Sequence, residues 1–88
     1  MDILKNASAG TMESSDAYVE VEPGTGLSIA LESVVANQFG DEIRAVVREV
    51  LTECGVENAN VRVVDRGALE CVLRARVETA VLRGKEEG

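Results

Sequence analysis

The apolar residues change period once, near Ser33, and that change limits what this chain can fold into. Ahead of it, Ala17, Val19 and Val21 alternate with Tyr18, Glu20 and Glu22. Leu27, Ile29 and Leu31 alternate in the same way with Ser28, Ala30 and Glu32. Period two with β-branched residues marks strands with one buried face. Pro23-Gly24-Thr25-Gly26 separates the runs with turn chemistry, so the pair reads as an antiparallel hairpin. Past Ser33, the residues Val35, Phe39, Ile43, Val46, Val47, Val50, Leu51 and Cys54 recur every three or four positions. That is the stripe of an amphipathic helix. Ser33 is placed to cap its start and Gly55 its end. Gly40 weakens the first turn, which makes Asp41-Glu42 an alternative start.

Val61-Arg62-Val63-Val64 reads as a short strand, stopped by Asp65-Arg66-Gly67 with a positive φ expected at Gly67. A second helix is predicted from Ala68 to about Arg83, with Leu69, Val72, Leu73, Val77, Ala80 and Val81 as its apolar face. Arg74 and Arg76 lie off that face, beside Glu70 and Glu78. They read as a solvated surface, with a subunit interface as the alternative, and Glu70–Arg74 is a favourable i,i+4 pair. Residues 1–10 form a loose or edge-paired lead-in, and residues 84–88 a solvated tail. The predicted order is ββαβα over a single domain, 1–88. Two helices with one apolar stripe each must share a sheet face. The expected class is α+β: a two-layer sandwich of a small antiparallel or mixed sheet with two helices on one face.

The core of such a chain must be aliphatic, because Tyr18 and Phe39 are its only aromatic residues. That also argues against single-strand nucleic-acid binding, which needs stacking platforms. The formal net charge is −7. No Lys or Arg occurs between Asn6 and Ile43, where seven acids do, and the acids and bases of the remaining chain cancel. An acidic surface disfavours nucleic acid and anionic membrane and suits basic protein surfaces; its other use is solubility. No apolar run has the length of a membrane span and the N-terminus lacks a signal-peptide pattern, so a cytoplasmic protein is expected. Cys54 and Cys71 form no metal-ligand spacing and read as buried thiols, with no metal expected.

The chain has no histidine, which removes the Ser-His-Asp and Cys-His nucleophilic arrangements. Pro23–Gly26 is not a phosphate-binding loop. Asp41 and Glu42 are adjacent and diverge on a helix, so they cannot flank one substrate. No catalytic residue is expected. What remains is Glu13-Ser14-Ser15-Asp16. A polar turn ahead of a strand explains it locally. The functional alternative is a hydroxyl held out for another enzyme to modify. A lone serine needs a general base, which the modifying enzyme can bring.

Three stretches carry a resemblance: AGTMESSD at 9–16, NQFGDEIRAVV at 37–47 and VVDRGALECVLRARVETAVLR at 63–83. Together they resemble the citrate lyase acyl carrier protein family, the γ subunit of that complex, in order and over nearly the whole chain. The resemblance implies that the serine of the A-G-T-x-E-S motif, Ser14 here, is the covalent attachment site. The family often has glycine at the next position, where this chain has Ser15, the alternative hydroxyl. The implied cofactor is 2′-(5″-phosphoribosyl)-3′-dephospho-coenzyme A, linked through a phosphodiester and ending in a pantetheine thiol. The implied partners are the α subunit, which exchanges acetyl for citryl, the β subunit, which cleaves the citryl thioester to oxaloacetate, and the prosthetic-group transferase. A tether makes each transfer effectively intramolecular. The resemblance therefore implies a non-catalytic carrier. The rivals are a citramalate lyase carrier, which shares the chemistry, and an unmodified acidic adaptor that binds proteins.

Overall fold

A computed structural model of the chain describes residues 2–34 and 36–85. The elements are β1 (Ala7–Gly10), β2 (Ala17–Glu22), β3 (Leu27–Ser33), α1 (Ala36–Glu53), β4 (Ala59–Asp65) and α2 (Glu70–Lys85). The strands form one mixed sheet in the order β1-β2-β4-β3. Both helices cover one of its faces, as the α+β two-layer expectation required. Ala17, Val19 and Val21 of β2 and Ala59, Val61 and Val63 of β4 are buried there against Val47, Val50 and Leu51 of α1 and Leu73, Val77, Ala80 and Val81 of α2. Glu22, Ser28, Ala30, Asn60 and Arg62 point to the other, open face.

The order βββαβα adds one strand to the expectation. β1 pairs with β2 antiparallel, from Ala7↔Val21 to Gly10↔Tyr18, so the lead-in is the edge-paired alternative. The expected β2–β3 hairpin does not form. β4 lies between those strands, antiparallel to β2 from Ala17↔Asp65 to Glu22↔Asn60 and parallel to β3 from Leu27↔Ala59 to Ser33↔Asp65. The reason is the connection. α1 carries the chain back to the end of the sheet where β3 begins, so β4 runs parallel to β3 as in any strand–helix–strand unit. With neighbours on both sides, β4 has both of its backbone edges satisfied. Residues 23–26 are therefore a bridge rather than a hairpin turn. The Gly26 N–H donates to Asn58 Oδ1 at 2.8 Å, and the Ala59 N–H to the Gly26 carbonyl at 2.9 Å.

α1 ends as its sequence predicts. Gly55 has φ +75. Its N–H reaches the Thr52 carbonyl at 3.0 Å and the Val56 N–H reaches the Leu51 carbonyl at 2.9 Å. These two bonds define a Schellman cap, with buried Val56 closing over Leu51. The start differs from expectation. Asp41 and Glu42 lie beyond the first turn, and Ser33 belongs to β3 and donates its hydroxyl to Asp65 Oδ2 at 2.8 Å. Val35 lies outside the described residues.

α2 begins at Glu70, two residues later than predicted. Its buried stripe is Leu73, Val77, Ala80, Val81 and Gly84. Leu69 precedes the helix and is 72% exposed. Cys71 falls off the stripe and is exposed, and Cys54 is half-buried, so the thiols are not both core residues. Gly84 is no part of a solvated tail. A Cβ there would meet Ile3 and Val21 side-chain carbons at 3.1 Å, and its carbonyl accepts the Leu4 N–H at 2.9 Å. Residues 86–88 of that expected tail lie outside the described residues.

Candidate functional site

The serine pair sits in the six-residue connection between β1 and β2, at the sheet end where β3 and β4 finish. Gly10 opens this loop with φ +92, and a Cβ there would lie 1.9 Å from the Ala17 carbonyl oxygen. Only glycine lets the two strands close on each other at that point.

Asp16 organises the loop. Its Oδ2 accepts the Thr11 hydroxyl at 2.7 Å, and Thr11 Oγ1 in turn accepts the Glu13 N–H at 3.2 Å. Its Oδ1 accepts the Ala17 N–H at 2.7 Å. The Arg76 guanidinium of α2 grips both oxygens, Nε to Oδ1 at 2.9 Å and a terminal nitrogen to Oδ2 at 3.1 Å. Such a two-pronged pair is both strong and directional. Arg76 above all, then Thr11 and the Ala17 N–H, hold the Asp16 carboxyl well below the usual carboxylate range. The Arg76 side chain is thus engaged by the serine loop while 39% of it remains exposed. Arg74 bridges Glu70, the pair expected from spacing, and also Glu49 of α1, each at 3.1 Å.

A second anchor comes from the turn after β4. The Ser15 N–H donates to the Arg66 carbonyl at 2.8 Å, and the Arg66 N–H to the Asp16 carbonyl at 2.9 Å. That turn is itself fixed. Asp65, 3% exposed, accepts the Gly67 and Ala68 N–H groups on Oδ1 at 3.2 and 3.0 Å and the Ser33 hydroxyl on Oδ2. Gly67 has the expected positive φ, +87. Asp65 thereby ties β3, β4 and the entry to α2 together beneath the serine loop.

Ser14 and Ser15 are both exposed, and neither hydroxyl has a hydrogen-bond partner among the described residues. Their backbones differ. Ser15 has φ +67, the left-handed region, where glycine fits at least cost. Position 15 is thus where the loop bends, and Ser14 stands just before the bend. The segment is polar and exposed, as a modification site should be, but it is clamped at both flanks rather than loose. Among the described residues no carboxylate or amine is hydrogen-bonded to the Ser14 hydroxyl, so none of them activates it. A shallow concavity of about 460 Å³ lies on the open sheet face, lined by Tyr18, Glu20, Glu22 and Arg62 among others, and no residue of 11–16 lines it. Among the described residues no cluster could hold a metal ion, and no helix is long and apolar enough to cross a membrane.

The Asp16–Arg76 clamp escaped the sequence reading. Its partners are sixty positions apart, and nothing in local periodicity connects a loop acid to a helix-surface arginine.

Comparison with known proteins gives the family of the chain. The model of the family described as the malonate decarboxylase delta subunit (MdcD), an acyl carrier protein family, matches residues 4–84. The citrate lyase acyl carrier protein of Escherichia fergusonii is 53% identical over 89 residues, covering 99% of this chain and 92% of that protein. The citrate lyase acyl carrier protein of Haemophilus influenzae strain PittEE is 54% identical over 87 residues, with the same two coverages of 99% and 92%. Among solved structures, a chain of a Pseudomonas malonate decarboxylase hetero-tetramer in complex with malonate superposes with a TM-score of 0.74 at 28% identity, covering 88% of this chain and 80% of that one. The chain belongs to the acyl carrier protein family of the citrate lyase carriers and the malonate decarboxylase delta subunit.

Proposed function

We propose that this protein is the acyl carrier subunit of a citrate lyase complex and that Ser14 bears its prosthetic group, 2′-(5″-phosphoribosyl)-3′-dephospho-coenzyme A, through a phosphodiester. The observation that carries the reading is the Ser14 hydroxyl. It is exposed and without a hydrogen-bond partner among the described residues, on a clamped loop, in a chain 53% identical to named citrate lyase carriers. When bound, the group supplies a thiol that holds acetyl and citryl as thioesters. The chain's own residues do the rest. Gly10 and the Asp16–Arg76 clamp hold the loop, and Ser15 turns the backbone so that Ser14 faces solvent.

The missing general base fits this role. A carrier presents a hydroxyl to a transferase that brings its own base. A rigid base under the arm reduces the conformations to be searched at each partner site. The acidic segment suits docking on basic surfaces of the lyase α and β subunits, where charge complementarity speeds encounter. The proposed compartment is the cytoplasm, where the free thiols of Cys54 and Cys71 stay reduced.

A second reading is a malonate decarboxylase carrier, which the matching family model and the superposed structure favour. The identity of 53% to citrate lyase carriers against 28% to that chain favours citrate lyase. Intact and peptide mass spectrometry of protein made with the matching transferase should find the adduct on Ser14 and not on Ser15. Ser14→Ala should abolish loading and citrate cleavage in the reconstituted complex while leaving the fold unchanged. Full activity of Ser14→Ala would refute the proposal, and activity only with malonate decarboxylase or citramalate lyase subunits would replace the complex named.

A further inference from the structure

We infer that the Arg66 guanidinium pairs with the phosphodiester on Ser14 and so positions the first bond of the arm; the inference rests on the loaded-Ser14 reading and deepens it. The geometry begins with the hydrogen bond from the Ser15 N–H to the Arg66 carbonyl at 2.8 Å. The peptide unit joining Ser14 to Ser15 is therefore bonded directly to the one that follows Arg66. With standard bond lengths, that contact places the Ser14 and Arg66 Cα atoms within about 8 Å of each other. An arginine side chain spans such a gap easily. The reciprocal bond from the Arg66 N–H to the Asp16 carbonyl at 2.9 Å keeps the two backbones in register.

The charges single out the same residue. The loop is acidic, with Glu13 and Asp16 flanking the serines. A phosphodiester on Ser14 adds a further negative charge, which a guanidinium close by would stabilise. The neighbouring cations are already engaged. Arg76 is held by both oxygens of Asp16, and Arg74 by Glu49 and Glu70. Arg62 is paired with Glu20 on the open face, and Arg83 donates to the Ser8 carbonyl at 2.8 Å. Arg66 is exposed, and its guanidinium has no partner among the described residues. Its backbone is nonetheless held, because the buried Asp65 fixes the turn. A guanidinium on a fixed turn, beside an anion's attachment point and with no carboxylate of its own, is built for phosphate.

The test uses the full chain loaded by its transferase, with intact mass confirming the adduct on Ser14. In ¹⁵N–¹H spectra at low salt, loading should shift the Arg66 Nε–H resonance and slow its exchange with water several-fold. Arg44, exposed on α1, serves as the control and should not respond. Screening at 1 M salt should remove most of the effect, since the Debye length falls to about 3 Å. Arg66→Gln should move the phosphodiester ³¹P resonance of the loaded chain, and Arg66→Lys should restore part of the wild-type position. A loaded chain whose Arg66 resonance matches the unloaded one, or whose ³¹P resonance ignores Arg66→Gln, overturns this inference alone. A chain that carries no adduct on Ser14 overturns the carrier reading and this inference with it.

Discussion

Replacing Gly10 by alanine tests the geometry that supports the serine loop. Two costs can be separated. The first is conformational: Gly10 has φ +92, and a left-handed backbone costs an L-residue about 1–2 kcal/mol. The second is steric. The new Cβ would lie 1.9 Å from the Ala17 carbonyl oxygen, 3.0 Å from its carbon and 3.1 Å from Arg76 Cδ. The nearest atom is backbone in the paired strand, so it cannot swing away as a side-chain tip would. Forcing it aside costs about 1–3 kcal/mol, as overpacking does in cores. The sum, about 2–5 kcal/mol, compares with a total stability of about 4–13 kcal/mol for a domain of this length. At about 4–8 °C per kcal/mol, the midpoint of thermal unfolding should fall by about 8–40 °C. Gly26→Ala is the internal control. Gly26 also has positive φ, +74, but no atom lies within 4 Å of its Cβ position. That variant carries the conformational cost without the clash. Both variants gain the same unfolded-state benefit of alanine over glycine, so it cancels in the comparison. Circular dichroism melts and urea titrations of both measure the difference. If Gly10→Ala were no less stable than Gly26→Ala, the close approach of β1 and β2 at the loop would be refuted.

Two further expectations follow from the same loop and from the N-terminal segment. Ser15→Gly should stabilise the chain by about 0.5–1 kcal/mol, because relief of the left-handed strain outweighs the extra unfolded-state freedom of glycine. Loading should survive it; a loss of loading in Ser15→Gly would assign the adduct to Ser15 instead. The Asp2 carboxylate accepts the Asn58 side-chain amide at 3.0 Å and the Glu57 and Asn58 N–H groups at 2.7 and 3.0 Å, which lower its pKa from 3.8 to about 2. A carboxyl depressed on folding stabilises fully above its unfolded value and loses that contribution as pH falls through the folded one. Urea midpoints should therefore decline between about pH 4 and pH 2, and less steeply in Asp2→Asn; parallel pH profiles would remove Asp2 from the account.

The periodicities of this sequence determined that β2, β3, β4 and both helices form and which face most of their residues bury. Val19, Val21, Val61 and Val63 are buried because alternation puts them on one side, and Leu73, Val77 and Ala80 because three- and four-residue spacing does. Local chemistry also placed the glycine at the end of α1 and the turn at Gly67, since a positive φ is a property of one residue and its neighbours. The exposure of the polar run around Ser14 followed from its composition in the same way. Alternation says which face a strand buries, however, and not which strand lies beside it. That is why β4 entered between β2 and β3 without a sequence signal. The serine loop shows the same division. Its exposed hydroxyls are written in eight consecutive residues, while its rigidity comes from Arg76 and Arg66, sixty and fifty-one positions from the groups they hold or accept from. Contacts at that separation exist only once the sheet and α2 have packed. Tertiary structure, not local sequence, turned a polar turn into a fixed platform for an exposed serine.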